Sequence, residues 1–560
     1  MKFSLVYHTI KHLKPVQIRY QLWYRIRKKW HQLIGFKYPL SIEKEGTALN
    51  LVPDITKYTS YEKGTFNFLN RQKDFKGNIA WNYNKYGKLW TYNLNYFDFL
   101  NQKQLEFETG LKLIDDFISK LKQDSIGLEP YPIALRSINW VKFLSQHSFL
   151  TPRSLRNSAA PAARNKQDNS PRSPRESAAF SARKKIDASL YAQYQILLDN
   201  LEYHLLANHL LENGFSLLFG AFYFNNKRLY SKAKEIIIDQ LEEQILDDGG
   251  HFELSPMYHQ IILDRLLDSI NLVQNNYRFD SYERLLKQMQ DKAQKMLNWL
   301  NQMTFSNGQI PLLNDAVPGI APTTQQLNDY ATRLNLMSEN SCNPWMLSES
   351  GYRRYNGSNY ECILDVGPIG PSYQPGHAHA DTFNFVLNVK NEPILVDTGI
   401  STYDTGKTRL TERGTSAHNT VTVQDKNSSE VWSSFRVARR AKVKIIKDEK
   451  NHIVAQHDGY KKLGTIHQRE WNFEESQMEI TDTLTGKFTE GKAHFWLAPG
   501  LSPVIKANEV KVNNVLITFN NSTHINLIST KIPHGYNRFL DSYKVEIMFE
   551  HHLNTIITTS

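Results

Sequence analysis

Three groups of residues have the types and spacing that chemistry asks for. The first is Asn208-His209, in ANHLLENG. The second is GGHFELSPMYH at 249–259, which contributes His251, Glu253, Tyr258 and His259. The third is Gly376-His377-Ala378-His379-Ala380-Asp381, followed by Val396-Asp397-Thr398-Gly399 and by His418-Asn419-Thr420. In extended backbone His377 and His379 point the same way, because side chains alternate with period two. Asp397 ends one apolar run and His418 precedes another. Two histidines of this group together with one Asp therefore suit a zinc site of two nitrogens and one oxygen with an open position. A hydrogen-bonded histidine cluster that only fixes the fold is the other reading. As chain neighbours Asn208 and His209 cannot share one helix face, so one is free to face a cleft while the other packs. Ser255-Pro256 reads as an N-cap followed by the first helical residue. That places Tyr258 in the first turn, where it either faces a groove or packs. Tyr403, six residues past Asp397, is a further candidate base.

The elements that must position these residues fall into two periods. Up to about residue 340 apolar residues recur at helical spacing, over Gln104–Leu121, Ala188–Leu206, Lys227–Ile245, Met257–Val273 and Tyr282–Leu300. Asn213-Gly214, Asp248-Gly249-Gly250 and Ser306-Asn307-Gly308 read as turns between helices. Many helices of similar length with short links suggest stacked helical hairpins, as in a solenoid or an α/α toroid. From about 350 the period is two, over Tyr360–Asp365, Phe383–Val389, Thr420–Val423, Ala441–Ile446, His452–His457, Met478–Asp482 and Val515–Phe519. Short strands with frequent turn residues predict a large antiparallel β-sandwich. The expected organisation is a basic helical segment at 1–40, a helical domain at 41–340 and a β-domain at 350–560, with the linker near Leu336–Glu349. Residues 151–187 interrupt the helical domain. There TPRSLRNSAAPAARNK at 151–166 is echoed by SPRSPRESAAFSARKK at 170–185. This Pro-, Ser- and Arg-rich duplication holds too little apolar surface to offset its ordering entropy and predicts a disordered insertion.

The net charge of +11 in 560 residues invites a nucleic-acid reading. Its distribution does not support one. The first 40 residues hold nine Lys/Arg and no Asp or Glu, and 151–187 hold nine against three, which leaves the rest acidic by four. The expected partner is thus not nucleic acid. The basic start, interleaved with Trp23, Tyr24 and Trp30, suits contact with an anionic membrane surface; the alternative is a first helix packing its aromatics on the body. No stretch approaches the length of a spanning helix and no signal-like apolar run opens the chain. The expected location is cytoplasmic or at the inner membrane, with periplasm as the alternative. Two cysteines, Cys342 and Cys362, exclude a disulfide scaffold.

Together the three groups resemble the heparinase II/III-like polysaccharide lyases, a family that includes alginate-type lyases. LWTYNLNYFDFL at 89–100, GLEPYPIALRSINWVKFL at 127–144, NHLLENG, GGHFELSPMYHQ, IPLLNDA at 310–316, GHAHAD, VDTG and AHNTV fall in the family's order. The resemblance implies an α+β multidomain fold, an incomplete α/α toroid followed by an antiparallel β-sandwich. It implies β-elimination at a uronic acid of an anionic polysaccharide, which needs a neutralised carboxylate, a base for the C5 proton and an acid for the departing O4. By the same resemblance Asn208 neutralises the carboxylate beside His209, Tyr258 and His377 are catalytic, and His379, Asp397 and His418 hold zinc. Tyr96, Tyr131, Arg136, Asn139, Trp140, Glu253, Tyr403 and Arg413 are candidates for sugar contact, since aromatic faces stack on sugars and Arg pairs with carboxylate. The missing export signal suggests trimming of a capsule or exopolysaccharide in the making. Two other functions stay open: a glycoside hydrolase, for which Glu253 and Asp315 are the carboxylates to propose, and a non-catalytic polysaccharide-binding protein.

Overall fold

A computed structural model describes residues 2–146, 174–280, 282–336 and 345–560. The chain divides into two compact units. One comprises Met1–Lys14, Glu242–Asp264 and Asp291–Ser560; the other comprises Pro15–Leu241 and Arg265–Gln290. Residues 242–264 and 291–336, which periodicity groups with the helical part, thus belong to the unit that holds most strands. The fold is α+β and multidomain.

The helical unit follows the expected period. Phe107–Lys120 buries Gly110, Leu113, Ile114 and Phe117, one stripe at three- and four-residue spacing. Pro130–Gln146 is buried continuously from Pro132 to Ser145, as expected of a central helix. Ala207–Phe224 buries every residue except His209. The turn expected at Asn213-Gly214 is absent, because both residues lie inside this helix. Asn213 spends its side chain on Glu202, accepting from its backbone N–H at 2.9 Å and donating to its carboxylate at 3.0 Å. A Cβ on Gly214 would stand 2.8 Å from Ile236, so the glycine permits close helix packing rather than a bend. A three-stranded antiparallel sheet, Tyr61–Glu62, Thr65–Phe68 and Arg71–Asp74, is also present. Its strands are too short to show a period. The helix Pro174–Asp199 takes in the last part of the expected disordered insertion. Residues 151–173 of that insertion, and Cys342, lie outside the described residues.

The β-rich unit contains an eight-stranded, a five-stranded and a four-stranded antiparallel sheet. Thr465–Phe473 buries alternate residues without exception, and its partner Gln477–Gly486 does so until its last two residues. Trp471 and Ile480, Leu387 and Cys362, and Phe495 and Val545 represent the three sheets in one hydrophobic core. Inside it Arg469 gives two hydrogen bonds to Asp482 and one each, at 2.8 Å, to the carbonyls of Phe383 and Asn419. A buried ion pair is worth little net stability unless its hydrogen bonds are complete. Here every side-chain nitrogen of Arg469 and both oxygens of Asp482 have a partner, and these bonds tie two loops that carry the histidines to the sheet.

Candidate active site

Asp315 is the hub of the cluster in the β-rich unit. Its side chain is fully buried. Burial alone would raise its carboxyl, but the Arg409 guanidinium and hydrogen bonds from His377 and His379 hold it well below the usual carboxylate range. Arg409 binds both of its oxygens. His377 Nδ1 lies 2.8 Å from one oxygen and His379 Nε2 2.8 Å from the other. An ionised carboxylate only accepts, so each facing ring nitrogen carries the hydrogen. The lone pair of His377 is therefore on Nε2, which stands 3.9 Å from Glu253 Oε2. His377 is the partly open member, with 13% of its side chain exposed.

Against His377 lies Tyr258, ring centroids 4.0 Å apart. The Tyr258 hydroxyl is 2.8 Å from that of Tyr403. Burial, then the neighbouring Tyr258, Tyr536 and Asp315, push the Tyr403 phenol well above its ordinary value. Tyr403 thus keeps its proton and can donate it to the Tyr258 oxygen. Arg409 stacks over the Tyr403 ring at 5.0 Å.

Local backbone places these groups. The helix Pro256–Asn275 starts where Ser255-Pro256 predicts, and Tyr258 sits in its first turn. The expected side-chain cap is not made: Ser255 Oγ is buried without a hydrogen bond. The entry to this helix is instead held from outside. Gly249 has φ 91°, and a Cβ there would come within 2.1 Å of the Lys295 carbonyl. Leu254 has φ 57°, and its carbonyl accepts from Asn314 Nδ2 at 2.8 Å and Tyr352 Oη at 2.6 Å. Asn314 also accepts from the His379 N–H at 3.0 Å. Strained non-glycine residues persist only where the surroundings over-determine them. Here Asn314-Asp315 does so, joining the Tyr258 and His377 segments. His251 and His259 pack rather than react. Both are buried, and burial pushes His259 down to about 3.

The expected zinc ligands lie close to this hub. Among the described residues no three His, Cys, Asp or Glu are grouped so as to hold a metal ion as placed. The donor chemistry nonetheless fits. His379 spends Nε2 on Asp315, and His418 spends Nδ1 on Asp397 at 2.8 Å. Their other ring nitrogens, His379 Nδ1 and His418 Nε2, are buried without hydrogen bonds, and so is Asp381 Oδ2. The two rings are 5.2 Å apart. Unspent imidazole lone pairs oriented by carboxylates are what a metal ligand shell requires.

In the helical unit Leu206 and Ala207 have φ of 62° and 54°, and this strained turn starts the helix that carries Asn208 and His209. Asn208 is buried. His209 is half-buried, 3.1 Å from Glu202 and 4.7 Å from the Tyr131 ring. The sugar-contact candidates divide. Tyr131 is half-buried, as is Tyr403 in the other unit. The remaining ones are buried. Arg136 is fully buried and donates to Gln193, Asn95 and Gly127. Asn139 binds Tyr96 and Asp98, and Trp140 packs edge-on to Phe97. Arg413 donates to the carbonyls of Ala378, Ser433 and Ser434. These correct the expectation: Arg136, Asn139, Trp140 and Arg413, with the buried Tyr96, brace the scaffold. Arg409 and the hub role of Asp315 are what sequence reasoning missed. The usable signal was an acid in the apolar run IPLLNDA.

The sequence matches the family model for the heparinase II/III N-terminus over residues 187–342 and that for the heparinase II/III-like C-terminal domain over 341–550. It is 23% identical over 311 residues to a heparin-sulfate lyase of Bacteroides stercoris, covering 51% of this chain and 44% of that one. The chain thus spans less than half the length of that relative. A solved heparinase III shares the fold with TM-score 0.61 at 15% identity, over 87% of this chain and 81% of that one. A heparan sulfate lyase mutant from Pedobacter heparinus does so with TM-score 0.56 at 17% identity, over 88% and 81%.

Proposed function

The chain belongs to the heparinase II/III-like family, and we propose that it is a carbon–oxygen lyase that cleaves an anionic, uronic-acid-containing polysaccharide by β-elimination. The observation that carries the reading is the close pair of proton-handling side chains, Tyr258 and His377, with ring centroids 4.0 Å apart, the first hydrogen-bonded to Tyr403 and the second to the buried Asp315. Asp315 keeps the His377 hydrogen on Nδ1 and leaves Nε2 to accept a proton. Tyr403, holding its own proton, stabilises charge on the Tyr258 oxygen. Tyr258 gives its proton to the departing O4, and doubles as base when the C5 proton and O4 lie on one face of the sugar. His377 Nε2 takes the C5 proton in the opposite arrangement. Asn208, as carboxylate neutraliser, and His209 enter from the family resemblance alone. Closure of the helices into an incomplete α/α toroid and a sandwich arrangement of the sheets rest on the sequence periods together with that resemblance, and a role in capsule or exopolysaccharide metabolism is part of the same proposal.

Zinc at His379, Asp397 and His418 is part of the proposal, supported by the unspent nitrogens of the two histidines. Bound there it would brace the loop that carries His377; no proton step depends on it. The hydrolase reading is weakened by Asp315, whose two oxygens are both bound by Arg409 and which is held ionised. It cannot be the acid of a hydrolytic carboxyl pair, and with both oxygens taken by Arg409, His377 and His379 it is not free to act as the base or nucleophile either. The test is a panel of uronate polysaccharides read by ultraviolet absorbance and product mass. A new unsaturated product, lost in Tyr258→Phe and His377→Ala, supports the lyase. Saturated products would show a hydrolase, and binding without turnover a binding protein.

A further inference from the structure

The helix Pro15–Leu33 is amphipathic, and it is packed the unusual way round. Its inward side is polar or aromatic and tied to the helical unit. Gln17 is buried and donates to the Leu205 carbonyl at 3.1 Å. Tyr20 stacks on Tyr203 at 4.7 Å, Tyr24 donates to the Leu201 carbonyl, and Arg27 donates to the Asp199 carbonyl and to Asn200. These positions recur at three- and four-residue spacing, so they define one face. The opposite face carries Ile18, Leu22, Trp23, Ile26, Trp30 and Leu33, all exposed; Leu22 is 54% accessible, Ile26 61% and Leu33 79%. Ile34 and Phe36 continue the exposed patch past the helix end. Arg19, Arg25, Lys28 and Lys29 are exposed around it, and the first 40 residues contain no acidic side chain.

We propose that this face docks on the surface of an anionic lipid bilayer, with the helix lying in the interface plane. Nineteen residues of helix span about 28 Å at 1.5 Å per residue. An aliphatic stripe along such a helix, with two Trp, with Arg25 and Lys28 beside it and with Arg19 and Lys29 interspersed on long side chains that reach past the apolar groups, is the pattern of an interfacial helix. Aliphatic side chains enter the acyl boundary, indole rings sit at headgroup level, and Lys/Arg reach anionic headgroups. Charge argues against the other occupants. Two copies of this face would bring cations against cations with no acid between them. A free anionic sugar chain would pair with the cations but leave Ile18, Leu22, Ile26 and Leu33 in water.

The test is co-sedimentation of the full chain with vesicles, using equal parts phosphatidylcholine and phosphatidylglycerol against phosphatidylcholine alone. The expected result is partitioning onto the anionic vesicles, weakened by salt, with a blue shift of Trp emission. The double variant Leu22→Glu/Ile26→Glu should partition about tenfold more weakly or worse, with helix content and cleavage of soluble polymer unchanged. Arg25→Gln/Lys29→Gln should lower both the affinity and its salt dependence. Failure of the unaltered chain to bind, equal binding to neutral vesicles, or an unaffected Leu22→Glu/Ile26→Glu variant would each overturn the proposal. So would a dimer in sedimentation that this variant dissolves, since that would assign the face to a second copy.

Discussion

The Asp315 cluster and the helix Pro15–Leu33 both set side chains against the polarity of their surroundings, and they resolve the conflict in opposite directions. Asp315, Arg409 and His379 are charged or polar groups out of water, and the Asp315 carboxylate is bound by Arg409 and by His379 Nε2. Ile18, Leu22, Ile26 and Leu33 are apolar groups left in water, exposed among the described residues. A buried charge is tolerable when its compensation is internal. An exposed apolar stripe of this size draws its compensation from outside the molecule. The first case reads as chemistry held rigid, the second as a surface waiting for a partner.

The comparison breaks most visibly at Asp315. Asp315→Ala leaves Arg409 buried and unpaired, so we expect about 3–5 kcal/mol of lost stability in denaturant titration. Activity should vanish with it. Asp315→Asn tests orientation separately, because an amide can donate to His377 Nδ1 and place the hydrogen on Nε2. Turnover should then fall by about 10²–10⁴ with a smaller change in stability. Tyr258→Phe removes only a hydroxyl from a half-buried side chain. It should cost about 10²–10⁴ in turnover while the unfolding midpoint stays in place; a variant retaining full turnover would remove Tyr258 from the mechanism.

Arg136→Met sharpens the internal side of the comparison. It should cost about 1–3 kcal/mol for each carbonyl left unsatisfied, at Gln193, Asn95 and Gly127. His259 predicts the acid response. Its folded value, pushed down by burial to about 3, lies below the unfolded value near 6.5. The unfolded chain therefore takes up the proton first. The stability in question is complete above about pH 6.5 and is lost as pH falls toward 3, with a slope approaching about 1.4 kcal/mol per pH unit. His259→Gln should flatten that part of the curve in unfolding measured across the window. The smallest effect belongs to the outer helix. Leu22→Glu or Ile26→Glu should change stability by no more than about 0.5 kcal/mol, although each abolishes the apolar stripe.

Much of this architecture is legible in the chain. Tyr360–Asp365 and His452–His457 are strands with the expected ends, and four of the five expected helices fall within a few residues of their periodic segments; the helix expected at Ala188–Leu206 runs instead over Pro174–Asp199. The types of the reactive residues were legible too, because Tyr258 lies in the first turn of a Pro-started helix and His377 and His379 are two apart. Their partners were not. Asp315 lies 62 residues from His377 and 94 from Arg409, and no local pattern marks that meeting. For the same reason Arg136 and Arg413 looked like ligand-binding arginines; the carbonyls that consume their donors belong to other elements.

By itself the sequence determined the periods, the change from helix to strand, the candidate proton donors and acceptors, and the placing of positive charge at the start of the chain. Only the tertiary structure decided which carboxylate orients His377, which arginines are spent, and which side of Pro15–Leu33 faces out. The physical reason is common to all three. Periodicity belongs to one element and shows that it has an apolar and a polar face. Which face is buried depends on the surface it meets: here Leu201, Tyr203 and Leu205 took the polar side and left Leu22 and Ile26 to the solvent.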